Sequence, residues 1–142
     1  MLTVRKMAPR DVPLAVAMET KSIPHDAWSE KDFDKALSSP NKVCLVAYLA
    51  DNLVGHLIAV RGSKKMTLAN LLVRRRYRLQ GVGRRLIDEA TKIANGRLMA
   101  AMVHEQNMAA CKFFRSLGGW RCRLVPEYFN DSGADGYCFE KG

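Results

Sequence analysis

Val73-Arg74-Arg75-Arg76-Tyr77-Arg78-Leu79-Gln80-Gly81-Val82-Gly83-Arg84-Arg85-Leu86 is the stretch whose reading decides the fold. It begins where an apolar run, Met66 to Val73, stops. It leads into Val82, Leu86, Ile87, Ala90, Ile93 and Ala94, which share one face of a helix at 3.6-residue spacing. The order is strand, basic glycine loop, helix. A helix N-terminus carries unpaired N–H groups and the positive end of the helix dipole, and glycines at 81 and 83 let an anion approach that backbone. Arg78 and Arg84 flank the loop and bring the charge to neutralise a pyrophosphate. Two other glycine loops fail to fit. There is no GxxxxGK[ST], and the third position after Gly83 is Leu86, where a dinucleotide fingerprint asks for glycine.

Working outward, Met1 to Lys6 alternates as a strand, and Asp11 stands where it can cap a helix of about nine residues whose first turn tolerates Pro13. That helix carries Val12, Ala15, Val16 and Met18 to a core. Ser29 with Asp32 reads as a capping box opening a second helix with Phe33, Ala36 and Leu37 inward. Val43 to Ala50 and Leu53 to Val60 are strands joined by Asp51-Asn52, a two-residue hairpin signal. After the glycine-loop helix come a strand over Arg97 to Val103 and a helix behind Asn107. That helix has Ala110, Phe113, Phe114 and Leu117 at core spacing and ends at Gly118-Gly119. Strands at Trp120 to Val125 and Gly136 to Phe139, with a polar loop at Asn130 to Gly133, complete a β-α-α-β-β-β-α-β-α-β-β series. The chain is mixed α/β, read as a single domain over residues 1–142.

The chain has 142 residues with 23 Lys and Arg against 14 Asp and Glu, a formal net charge of +9. Six of the arginines lie between Arg74 and Arg85, so an anionic ligand is expected there. No apolar run reaches the ~18 residues of a membrane span, and the first residues lack the pattern of a secretory signal, so the cytoplasm is the expected location. Cys44, Cys111, Cys122 and Cys138 show neither CxxC spacing nor a nearby His. They are expected to be free, mostly buried thiols, with no metal site.

With Leu71-Leu72-Val73, Tyr77, Arg78 and Gly81-Val82-Gly83-Arg84-Arg85-Leu86 in place, the sequence resembles the GNAT superfamily of acetyltransferases, whose signature is [RQ]-x-x-G-x-[GA] after such a strand. Asn107 with the helix to Phe114 and Ser116-Leu117-Gly118 is similar to the family's later motif. The resemblance covers the whole chain and is sharpest towards the RimI-type members, which acetylate the N-terminal alanine of a ribosomal protein. Trp28-Ser29-Glu30-Lys31 and Asn70-Leu71-Leu72-Val73 are its supporting details.

The resemblance implies an α+β fold with a mixed, mostly antiparallel sheet of about seven strands, about four flanking helices and a splayed parallel pair at 66–73 and 97–103. It implies acetyl-CoA as cofactor, released as CoA after direct attack by the acceptor in a ternary complex. Leu71, Leu72 and Val73 would meet the pantetheine and acetyl group, with the Val73 N–H on the thioester carbonyl. Arg78, Leu79, Gln80, Gly81, Val82, Gly83 and Arg84 would hold the pyrophosphate, with Asn107 and Phe114 on the other side. The implied partner is a peptide or protein N-terminus, ribosomal by resemblance.

Where RimI-type relatives place a glutamate base and a tyrosine acid, this chain has Met102 and Phe114, neither of which moves a proton. His104, Glu105 and Tyr128 are the replacement candidates. The chemistry also admits a small-molecule amine acceptor, or a module that binds acyl-CoA without turnover. Binding of nucleic acid by the arginines is disfavoured, because only Tyr77 is interleaved with them as a stacking aromatic.

Overall fold

The computed structural model describes residues 1–24, 27–129 and 133–142. The strands are β1 Leu2–Lys6, β2 Lys42–Leu49, β3 Asn52–Arg61, β4 Lys65–Val73, β5 Leu98–His104, β6 Arg121–Phe129 and β7 Ala134–Lys141. The helices are α1 Val12–Ser22, α2 Glu30–Ser38, α3 Val82–Ala94 and α4 Met108–Ser116. The strands form one sheet in the order β1-β2-β3-β4-β5-β7-β6. Only β4 and β5 run parallel, joined by the crossover through α3 that a parallel pair requires. Among the described residues no helix is long and apolar enough to cross a membrane.

Side chains alternate along each strand, so the sheet has two apolar faces. Leu45, Ala47, Leu57 and Ala59 pack with Val82, Leu86, Ala90 and Ala94 of α3 and with Cys111 and Phe114 of α4. Cys44, Val46, Ile58 and Leu72 turn to the opposite face and pack with Val12, Ala15, Met18, Phe33 and Ala36 of α1 and α2. The α3 stripe read from the sequence is buried apart from the half-buried Ile93. The capping box of α2 forms as read, Ser29 Oγ accepting from Asp32 N–H and Asp32 accepting from Ser29 N–H.

Other expectations are corrected. Asp11 precedes an eleven-residue α1 without capping it through its side chain. Its carboxylate turns back to Ala8 N–H at 2.7 Å, to both Arg5 Nη atoms at 2.8 Å and to Tyr48 Oη at 2.7 Å, because a buried carboxylate takes the nearest full set of donors. Burial opposes that charge, but the bonds from Arg5, Tyr48 and Ala8 outweigh it and hold Asp11 well below the usual carboxylate range. The hairpin loop is Ala50-Asp51, since Leu49 pairs with Asn52, and Ala50 adopts a φ of 53°. Cys122 is exposed on the edge strand β6, unlike the other three cysteines. β6 and β7 are longer than read, and Asn130, Asp131 and Ser132 of the expected loop lie outside the described residues.

Candidate functional site

The parallel strands stay together only over Lys65–Leu68 and Leu98–Ala101. Against β3, Ile58 pairs with Asn70 while Ala59 pairs with Leu68, which leaves Ala69 as an extra residue. Such a bulge bends its strand, and here β4 departs while β5 continues to His104 on β7 alone. Arg74 N–H donates to Val54 O at 2.8 Å, and hydrogen-bonded pairs alternate along an antiparallel ladder. Leu71 and Val73 therefore direct their main-chain groups away from β3 and into the gap, while Leu72 faces β3. The result is a short open strand edge that an extended ligand arm can pair with. The Val73 carbonyl already accepts from Arg78 Nε at 3.2 Å.

The gap lies beside the start of α3. A 3₁₀ turn, Arg75–Tyr77, carries the chain round to Leu79, whose φ is 64° and whose side chain is fully exposed. Left-handed backbone at a leucine costs about 1–2 kcal/mol, the kind of strain that collects at ligand sites. Gly81 caps α3 with φ 85°. Among the described residues none of the backbone N–H groups from Leu79 to Arg84 donates to another backbone group, and the first helical bond is Arg85 N–H to Gly81 O at 3.0 Å. These unused donors, at the positive end of the α3 dipole, suit a pyrophosphate.

The flanking side chains are partly committed. Gln80 Nε2 donates to Arg76 O at 3.1 Å, and Arg84 donates to Ser116 O at 3.1 Å and Leu117 O at 3.5 Å, tying α3 to the end of α4. Gly83 has a second reason beside the one read in the sequence. It is buried, and a Cβ there would lie 2.9 Å from Cε1 and Cζ of Phe113, so its missing side chain makes room for that ring.

On β5, Met99, Ala101 and Val103 face the α3 core, so Met102 and His104 face the other side of the sheet. His104 Nδ1 accepts from Gln106 N–H at 3.1 Å, and its ring lies tilted at 36° against Phe129, with centroids 4.8 Å apart. A neutral ring held in this way carries its proton on Nε2, which makes His104 a donor and leaves it no free base nitrogen. Glu105 is half-buried, its N–H bound to Asp135 O at 3.0 Å. Tyr128, exposed, meets Phe129 edge-on at 5.0 Å near the end of β6. Asn107 Oδ1 caps α4 through Ala110 N–H at 3.1 Å. Phe114, expected at the cofactor, is only 4% exposed and packs on Phe113, Trp120 and Phe139 as part of the core.

Sequence reasoning missed one cluster. Glu19 and His56 are fully buried, with His56 Nε2 3.3 Å from Glu19 Oε2. Neither ring nitrogen is aligned for a hydrogen bond, so the two side chains meet as close polar neighbours. Glu19 Oε1 accepts from Trp28 N–H at 3.0 Å, and Oε2 accepts from Asn70 Nδ2 at 3.1 Å. Burial opposes the Glu19 charge, but His56, Trp28 N–H and Asn70 together hold its carboxyl below the ordinary value. The signal was present as Glu19, His56 and Asn70, three polar residues interrupting apolar segments.

The model of the acetyltransferase (GNAT) family matches residues 14–119, and the chain belongs to this family of acetyl-CoA-dependent N-acetyltransferases. Within it, the N-alpha-acetyltransferase RimI of Mycobacterium tuberculosis is 30% identical over 120 residues, 82% of this chain and 76% of that protein. The Mycobacterium leprae protein ML0378 is 29% identical over 145 residues, and this chain spans 99% of itself but only 40% of that protein's length. The ribosomal-protein-S18-alanine N-acetyltransferase of Escherichia coli has the same fold, with a TM-score of 0.83 at 22% identity over 99% of this chain and 93% of that one. So does Arabidopsis thaliana NAA60 in complex with acetyl-CoA, with a TM-score of 0.83 at 18% identity over 99% and 97% of the two chains.

Proposed function

We propose that residues 1–142 act as one domain that moves the acetyl group of acetyl-CoA to the α-amine of a protein N-terminus, a ribosomal protein being the acceptor suggested by the likeness to the Escherichia coli ribosomal-protein-S18-alanine N-acetyltransferase. The observation that carries the reading is the gap between β4 and β5. The main chain of Leu71 and Val73 opens into it, and the N–H groups of Leu79 to Arg84 stand unused beside it. Those N–H groups, with Arg78, Gln80, Gly81, Val82 and Gly83, would take the pyrophosphate. Leu71, Leu72 and Val73 would line the arm, and Asn107 would offer its Nδ2 from α4. Bound acetyl-CoA supplies the activated thioester. This chain's part is to orient it and to bring an amine to it from the Met102 side of the sheet, in the cytoplasm of the source cell.

The choice of acceptor follows from proton chemistry. Met102 carries no proton-accepting group, and Nδ1 of His104 is taken up by Gln106 N–H. The amine must then arrive neutral. At pH 7.5 an α-amine of pKa ~8 is neutral ~200-fold more often than a lysine amine of pKa ~10.4. Positioning of amine against thioester can supply the larger part of the rate. The test is acetyl-CoA-dependent thiol release with an alanine-starting peptide, an amino-blocked lysine peptide and small-molecule amines. The alanine peptide should be fastest, and faster turnover of either alternative sinks the reading.

A further inference from the structure

The buried Glu19 cluster lies on the side of the sheet away from α3, where the acceptor enters. Leu72, one residue from the open edge, packs with α1 and α2, and Asn70 shares its face by the period of the strand. His56, paired with Leu72, faces the same way, its ring edge-on to Phe33 at 5.4 Å. Asn70 follows Ala69, the bulge residue at which β4 leaves β5. Trp28 lies in the connection between α1 and α2 and packs on Phe33 at 5.2 Å. A single buried carboxylate thus grips two separate pieces of the acceptor side: the α1–α2 connection through Trp28 N–H, and the parting point of β4 through the Asn70 amide.

A buried charge is costly unless its bonds are made, and an apolar residue of similar volume would fill this space at lower cost. What the carboxylate adds is fixed geometry at two remote points, through charge-assisted bonds that tolerate little displacement. We propose that Glu19 is a positioning residue for the acceptor, with Asn70 as its link to β4 and His56 as its buried neighbour. The carboxylate holds the α1–α2 connection at a set distance from the gap and so shapes the acceptor side independently of the cofactor side. This rests on the acetyl-transfer reading above.

The test uses Asn70→Ala, whose site is half-buried and tolerant, alongside Glu19→Gln. Each should raise the KM for the alanine-starting peptide about tenfold, with kcat within about threefold and the calorimetric Kd for CoA within about twofold. An unchanged peptide KM, or a CoA Kd that weakens in step with it, overturns the proposal. Hydrogen exchange at the Trp28 amide in CoA-free protein reads the grip of Glu19 directly and should quicken at least about tenfold in Glu19→Gln. Unchanged exchange removes the tie whatever the kinetics. A parent protein without turnover on any amine ends the acetyl-transfer reading instead, and the exchange result still decides the tie.

Discussion

Replacing Gly83 with alanine separates two roles for the second glycine of the loop. A Cβ at this position would sit 2.9 Å from two atoms of the Phe113 ring, whereas non-bonded carbons prefer about 3.5–4.0 Å. About 0.6–1 Å of overlap must be relieved by turning Phe113, whose ring already meets Phe114 at 5.2 Å. Overpacking of this kind costs about 1–3 kcal/mol, and alanine inside α3 returns about 1 kcal/mol through helix propensity. Gly83→Ala should therefore destabilise by about 0–2 kcal/mol. In a Phe113→Leu background, where the ring tip is gone, the same change should stabilise by up to about 1 kcal/mol. Urea unfolding of the four proteins gives the coupling, expected at about 1–3 kcal/mol. CoA titration of the double variant should stay within about threefold of Phe113→Leu alone. A coupling below about 0.5 kcal/mol, or a CoA affinity that collapses in the double variant, would show that the glycine serves the anion and that the packing argument is wrong.

Two more outcomes follow from the titrating groups. Asp11 is 1% exposed and held below its ordinary value of 3.8, so its contribution is complete above that pH and disappears as pH falls through the folded value. Asp11→Asn should cost about 3 kcal/mol in urea unfolding at pH 7, where it leaves Arg5 unmatched, and only somewhat less at pH 3, where the folded carboxylate is still ionised; a loss that has already vanished at pH 3 would refute this. With no base nitrogen free on His104, kcat/KM for the alanine peptide should climb about tenfold per pH unit until the acceptor's own pKa near 8. His104→Gln should lower kcat by less than about tenfold, and a hundredfold loss would make His104 a proton-transfer group after all.

The fold was largely legible because its strongest signals are local. The α3 stripe, the Ser29 and Asp32 capping box and the short hairpin each lie within a dozen residues, and each formed, the hairpin one residue early. The glycine loop was legible for the same reason, since Gly81 and the strand before it announce a helix start. The packing reason for Gly83 was not visible, because Phe113 sits on another helix. Asp11 looked like a helix cap because the sequence does not show that Arg5 and Tyr48 converge on it across β1 and β2. The Ala69 bulge carries no glycine or proline to mark it. Glu19, His56 and Asn70 come from α1, β3 and β4, and only the folded sheet brings them together.

That bulge explains how one short strand can serve two ligands. In a regular strand, alternate residues divide between the two faces while every second main-chain group pairs with the neighbour on each side. β4 keeps both properties but loses one neighbour: beyond Ala69 it still pairs with β3, and β5 is no longer there to use the other edge. The main chain of Leu71 and Val73 is freed for a cofactor arm next to the α3 terminus. The intervening Asn70 and Leu72 keep their side chains on the α1 and α2 side, where Glu19 can hold one of them. In the proposed reading, cofactor and acceptor would thus be addressed by alternate residues of the same four-residue segment. A change at Asn70 therefore acts on one side of the sheet, while the main chain at Leu71 and Val73 answers to the other.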